Sequence, residues 1–190
     1  MDRPEARLAV RLSFLVAGCG IGCMAVLVPG LARLLPVDAG SLVIGLLALL
    51  AGACAGARGT GTGRAGPMGR GLGLRFAVLT GGWGSALALP ACALVDGPML
   101  LAAALCVFGI FAGLLDAAMH VNAEAVARSL RRPRRWRGLV TYGIGAAGGA
   151  LVTMLLLVAG FEPPLAAALV AAPMMIATTV AGPYLLESDV

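Results

Sequence analysis

The chain contains no lysine, a single histidine, two tryptophans, two tyrosines and only nine acidic residues among 190. Without lysine no phosphate-binding P-loop can be built. With one histidine, no lysine and no G-x-S-x-G around Ser85, a nucleophile–base pair has few residues to draw on, so no enzymatic activity is expected. Charged residues make up 12% of the chain and hydrophobic residues 60%, with a mean hydropathy of +0.97. A soluble domain of this size would have no polar face to show water.

Six long apolar runs fill the sequence instead: 8–32, 39–57, 72–94, 99–119, 138–160 and 165–185. Each is near the ~20 residues that carry a helix across a hydrocarbon core. Barrel strands would alternate apolar and polar over ~10 residues, so the runs read as helices. The expectation is an all-α, polytopic six-helix bundle forming one transmembrane domain over residues 1–190, with the lipid bilayer as its first partner.

Of the fourteen arginines, Arg33 alone falls in a gap on one side, beside Asp38, Asp96 and Glu162. The other thirteen lie before or within the opening of the first run, around the second gap (Arg58 to Arg75) and in the fourth gap (Arg128 to Arg137). The positive-inside rule then places both termini in the cytoplasm. The net charge of +5 and pI near 9.4 are explained by these flanking cations and contact with anionic lipid, and nucleic acid is not expected as a partner. Residues 1–30 have a basic start, but their apolar stretch exceeds the ~7–15 residues of a signal-peptide core. They read as an uncleaved first span. The usage of Ala, Gly and Arg points to a GC-rich bacterial genome, hence a bacterial cytoplasmic membrane.

All five cysteines lie within spans, and Cys19 and Cys23 at i,i+4 suit small-residue packing better than a metal pair. Gly18 with Gly22, and Gly145 with Gly149, form small-xxx-small pairs that allow helix backbones to approach in lipid. Trp136, Tyr142 and Tyr184 fall where a cytoplasmic aromatic belt is expected, whereas Trp83 lies mid-span, for core packing or lipid contact. Gly61, Gly63 and Gly66 spell G-x-G-x-x-G. That fingerprint works only between a strand and a helix, with an acidic residue ~20 positions on, and here it sits between two membrane spans.

Polar chemistry concentrates at the end of the fourth span. Asp116, His120, Glu124 and Arg128 recur every four residues and form one helical stripe. Counting from Met99 puts Asp116 about 25 Å down the helix, near the inner edge of the hydrocarbon core. A carboxylate at that depth is either a functional group facing protein or water, or an interfacial group paired with loop arginines. With one histidine and no cysteine nearby, neither a metal site nor a cofactor is expected. Asp116, His120, Asn122 and Glu124 are the candidates for a substrate or proton pathway, with Asp116 and His120 one turn apart as a pair able to exchange a proton.

Gly113, Asp116, Met119 and His120, running on to Val126, Ala127, Arg128, Arg132 and Pro133, resemble the fourth helix and following loop of the major facilitator superfamily. The nearest pattern is a bacterial branch with G-x-x-D-x-x-M-N, a valine–glutamate pair and an arginine–proline turn. His120 replaces its Asn and Ala127 its Glu. Gly56, Gly63 and Arg64 match the superfamily's cytoplasmic G-x-x-x-D-R-x-G-R signature, in which Thr60 and Gly61 replace the Asp and Arg. Complete members have two six-helix halves with substrate bound between them. The resemblance implies an N-terminal half in which the first and fourth spans line the cavity, the second and fifth meet the other half, and the third and sixth face lipid.

The function expected on this basis is transport of an undefined small molecule by a half-size or split secondary transporter. Its second half would be a separate chain or a second copy. The alternative is a non-transporting accessory or structural membrane protein, or a truncated, inactive half.

Overall fold

The computed structural model describes residues 4–34, 38–59, 74–129 and 135–184. They form six helices: α1 (Pro4–Leu34), α2 (Ala39–Gly59), α3 (Leu74–Ala93), α4 (Pro98–Ser129), α5 (Arg135–Val158) and α6 (Pro163–Ala181), the last running into a short 3-10 turn, Gly182–Tyr184. Every helix contains a segment long and apolar enough to cross a membrane, and no strand occurs among the described residues. The chain is an integral membrane protein.

Local chemistry sets the helix ends. Asp38 caps α2, accepting hydrogen bonds from the backbone N–H of Gly40 (3.2 Å) and of Ser41 (3.3 Å). Proline opens α4 at Pro98 and α6 at Pro163 and Pro164, where its missing N–H would have no intrahelical partner. Gly160 closes α5 in the left-handed region, at φ 88°. Its N–H reaches the Leu157 carbonyl at 3.1 Å, and the Phe161 N–H reaches that of Leu156 at 3.1 Å. This pair of bonds forms a Schellman cap.

The fourth helix outruns its expected span. The apolar run expected at 99–119 lies in a crossing segment of Pro98–Glu124, within a helix that continues to Ser129. No glycine or proline interrupts the sequence between Gly113 and Pro133. Asp116, His120 and Glu124 lie on one exposed face, so the polar residues add no break to the helix.

Helices α1, α3, α4 and α6 supply the packed interior. Cys23 and Leu27 of α1, Leu89 of α3, Leu105, Phe108 and Leu115 of α4, and Val170 and Met174 of α6 belong to it. Helices α2 and α5 flank this core, α2 on α4 and α5 on α1, and these are the two most extensive helix pairs. In their most apolar stretches only 17% of α2 and 17% of α5 is buried, against 56% of α1 and 50% of α3. Outside lipid such exposed leucine faces would be costly. Within it they cost nothing, because acyl chains are as apolar as leucine.

Both flanking pairs are built on reciprocal glycines. In α1/α5, Gly18 faces the Tyr142 carbonyl oxygen, Gly22 that of Ala146, Gly145 that of Leu15 and Gly149 that of Cys19. In α2/α4, Gly52 faces the Cys106 carbonyl, Gly56 that of Ile110, Gly109 that of Leu49 and Gly113 that of Ala53. At all eight positions a Cβ would collide with the facing backbone, and each facing carbonyl lies three residues before a seam glycine of the partner helix. A shift of 91 positions carries Gly18 and Gly22 onto Gly109 and Gly113, and a shift of 93 carries Gly52 and Gly56 onto Gly145 and Gly149. The first and second three-helix units therefore repeat one seam in the same register.

Buried hydroxyls bond within their own helices, as a hydrocarbon surround requires. Ser13 donates to the Ala9 carbonyl (3.0 Å), Ser85 to that of Gly82 (3.0 Å), Thr153 to that of Gly149 (2.7 Å) and Thr178 to that of Met174 (2.8 Å). Trp83 is 41% exposed on the lipid side of α3, and its indole N–H donates to the Thr179 hydroxyl of α6 at 3.1 Å.

Candidate functional site

A groove of about 280 Å³ runs along the face where α1 and α4 are flanked by α2 and α5. Its floor is Ala17, Gly20 and Ile21 of α1 with Phe108, Ala112 and Leu115 of α4. Leu49, Ala53, Cys54 and Ala57 of α2 form one wall, Tyr142 of α5 stands on the other, and Ser85 of α3 contributes from behind. The close seams make this concavity. With glycine at each α1/α5 and α2/α4 contact, the flanking helices are drawn against α1 and α4, and the larger side chains between them line the hollow.

Among the described residues, Asp116 carries the one carboxylate of the lining, and no basic side chain is part of it. Its side chain is 55% exposed, and that of His120 60%. The His120 Nδ1 lies 2.8 Å from the backbone carbonyl of Asp116 and 3.7 Å from the Asp116 Oδ2. A carbonyl oxygen only accepts, so Nδ1 carries a proton and donates it there. In the neutral ring Nε2 is then the remaining acceptor. The imidazole also lies edge-on against Phe14 of α1, with ring centroids 5.3 Å apart. Phe14 is itself buried beneath Gly138 of α5, where a Cβ would come within 3.0 Å of its ring.

The expected site residues divide. Asp116 and His120 come together at one end of the groove, and Glu124 is exposed one turn beyond them on the same stripe. Asn122 is 1% exposed and does not line the groove. Six residues on from Asp116, it lies about 120° around the helix, on the packed side. Its Oδ1 is buried without a hydrogen-bond partner among the described residues. Gly56 is a seam glycine against Ile110 of α4. Gly63 and Arg64 lie outside the described residues, as does the side chain of Arg128.

Tyr142 was assigned by sequence to an interfacial belt, yet it faces the groove along with Asp116. The available signal was its position three residues before Gly145, which puts it beside the α1/α5 seam. Ser85 also lines the groove, with its hydroxyl turned to its own helix. Among the described residues no group of three or more His, Cys, Asp or Glu side chains is arranged to hold a metal ion.

No family model matches the sequence. The chain is 31% identical over 146 residues to an uncharacterized MFS-type transporter of Yersinia pestis. That similarity covers 75% of this chain and 37% of the relative, so the chain spans little more than a third of the relative's length. The chain is thus similar over three quarters of its length to an MFS-type transporter, and its six helices long and apolar enough to cross a membrane are consistent with half of such a protein.

Proposed function

We propose that this chain acts as the N-terminal half of a major-facilitator-type secondary transporter for a small molecule, completed by a second six-helix unit across the groove. The single observation that carries this reading is the Asp116 carboxylate at the edge of a mostly apolar concavity floored by α1 and α4. A carboxylate in a membrane span is expensive unless it faces a polar pathway. In this reading both termini and the arginine-rich segments lie in a bacterial cytoplasm, in keeping with thirteen of fourteen arginines on one side.

Asp116 and His120 form the cytoplasmic end of the pathway. The imidazole, held by its Nδ1–H on the Asp116 carbonyl, offers Nε2 to an incoming proton, and Asp116 takes or yields the partner charge. Glu124 extends the route toward the cytoplasm, while Asn122 supports α4 from the packed side. The open apolar faces of α2 and α5 meet the second half, supplied by a separate chain, a second copy or a linked segment.

The test is proton-coupled uptake in proteoliposomes holding the chain with its co-purified second half, against a panel of solutes. Asp116→Asn keeps size and hydrogen bonding but cannot titrate. A coupled carrier loses uphill transport in that variant and keeps downhill exchange; unchanged uphill transport removes Asp116 from the coupling role. The sparse polar lining of the groove supports a second reading, a non-transporting accessory subunit. It gains if the assembled pair moves no solute of the panel while loss of this chain depletes its partner from the membrane.

A further inference from the structure

We propose that Tyr142 and Asp116 form a latch across the groove: the Tyr142 phenol donates to the Asp116 carboxylate when the α1/α5 pair swings toward the α2/α4 pair. The proposal rests on the transport reading only in treating the groove as a pathway. It deepens that reading by giving the pathway a gate built into this chain.

The glycine seams divide the front of the bundle into two stiff units. At each seam backbone lies against backbone, so α1 moves with α5 and α2 with α4. Between the pairs the joint is softer. Among the described residues α2 makes no extensive contact with α1 or α5, nor α4 with α5, and the pairs meet along α1 and α4. There Gly20 faces side chains and not backbone: a Cβ would lie 3.1 Å from the Met174 methyl and 3.7 Å from the Phe108 ring. Side-chain contacts of this kind can slide where a backbone seam cannot. Behind the groove α6 packs on α1 and α3 on α4, and the Trp83 N–H bond to Thr179, at 3.1 Å, ties α3 to α6. The two pairs are therefore joined at the back and free to swing at the front.

The two polar side chains ride on opposite pairs. Tyr142 precedes Gly145 by three residues and its carbonyl lies against Gly18, so it moves with α1. Asp116 follows Gly113 by three residues, and Gly113 lies against the Ala53 carbonyl, so Asp116 moves with α2. Both side chains line the hollow, and the phenol lies within reach of the Asp116 charge. Among the described residues no hydrogen bond joins the two, so the structure shows the latch open. Their chemistry is complementary, because a phenol donates and a carboxylate accepts, and a charge-assisted bond is stronger than a neutral one. The Asp116 Oδ2 is turned to the His120 Nδ1 at 3.7 Å, which leaves Oδ1 for the phenol. Ser85 offers little competition, since its hydroxyl is already given to the Gly82 carbonyl. Closing the pairs makes the bond and covers the floor at Phe108 and Ala112, and a solute seated on that floor holds the pairs apart.

The experiment is a distance measurement by pulsed electron paramagnetic resonance on the full chain in nanodiscs. Spin labels are placed at Ala55→Cys on α2 and Leu139→Cys on α5, with the five native cysteines replaced by alanine. Both positions are exposed and neither lines the groove. The expected result is two populations, one at the separation of the structure and a shorter, latched one. Tyr142→Phe removes only the hydroxyl and should lower the ratio of latched to open about tenfold or more, the scale of a hydrogen bond to a charged group. Asp116→Ala should do the same, and the double variant should do no more, because each change removes one and the same bond. A single population in the labelled parent, an unchanged ratio in Tyr142→Phe, or additive losses in the double variant each overturns the proposal. If the chain without native cysteines does not fold, fluorotyrosine in the native chain decides. Its two tyrosines give two fluorine resonances, which Tyr142→Phe assigns. Asp116→Ala should then sharpen the Tyr142 line and leave that of Tyr184, and an unchanged Tyr142 line overturns the latch. None of these readouts involves flux, so the half-transporter reading falls separately, if the chain and a second half yield no coupled flux of any solute.

Discussion

The ring of Phe14 on α1 meets the imidazole of His120 on α4 edge to face, with centroids 5.3 Å apart and planes inclined by 69°. Phe14 is buried and Gly138 of α5 closes over it, so three helices fix the position of a side chain that is itself exposed beside Asp116. The contact orients His120 from one side while its Nδ1–H bond to the Asp116 carbonyl orients it from the other.

Phe14→Leu keeps an apolar residue under Gly138 and removes the edge contact, whose value is about 0.5–1.5 kcal/mol. The variant should fold and insert normally. Its imidazole should gain rotational freedom, read as line narrowing of the His120 ring resonances in a sample labelled at its single histidine. Unchanged ring dynamics would mean that Phe14 does not hold the imidazole.

The seams predict a sharp positional contrast. Gly22→Val and Gly113→Val place side chains directly against the Ala146 and Ala53 carbonyls, where only backbone separation relieves the clash. Both should broaden or abolish the monodisperse peak in gel filtration. Gly143→Val lies on the same helix as Gly145 but has nothing within 4 Å of its Cβ position, so the chain's own fold should survive. On the proposed half-transporter reading, the second half packs on this face and Gly143→Val should reduce its co-purification.

Gly160 adopts φ 88° with open space around its Cβ position, so its requirement is conformational and not steric crowding. Gly160→Ala should cost about 1 kcal/mol, and Gly160→Asn less, because Asn tolerates the left-handed region better. Thermal unfolding in detergent, compared across the three proteins, checks the order.

Hydrogen bonds from the Ser41 hydroxyl and from the Ser41 and Gly40 N–H groups hold the Asp38 carboxyl below its usual range. A depressed folded pKa means the charged cap stabilises the native state above the unfolded pKa, and that this contribution is lost as pH falls through the folded pKa. The gap in melting temperature between the wild type and Asp38→Ala should therefore be full at neutral pH and narrow below the ordinary carboxylate value. A gap that widens with acid would contradict the cap.

What the sequence determined by itself was whatever depends on neighbours along the chain. Six apolar runs of crossing length can only be helices in a bilayer, and the first, expected at 8–32, has those bounds in the structure as Leu8–Ala32. The repeat of Asp116, His120 and Glu124 every four residues placed them on one exposed stripe, and the spacing of Gly18 with Gly22 and of Gly145 with Gly149 marked two contact faces. Only the tertiary structure decided which faces meet. Gly52 with Gly56 and Gly109 with Gly113 have the same four-residue spacing, but a pair of glycines carries no label for its partner helix or its register. The same gap hid Tyr142, whose interfacial position is readable from the chain while its view of Asp116 depends on how far α5 is rotated against α1. It also left Asn122 grouped with Asp116, because nearness in sequence does not reveal that a 120° turn puts one in the groove and the other in the packed interior. Helix formation is local, fixed by backbone hydrogen bonds and apolar length. The site is not, because in lipid the choice of partner rests on backbone fit across helices far apart in the chain.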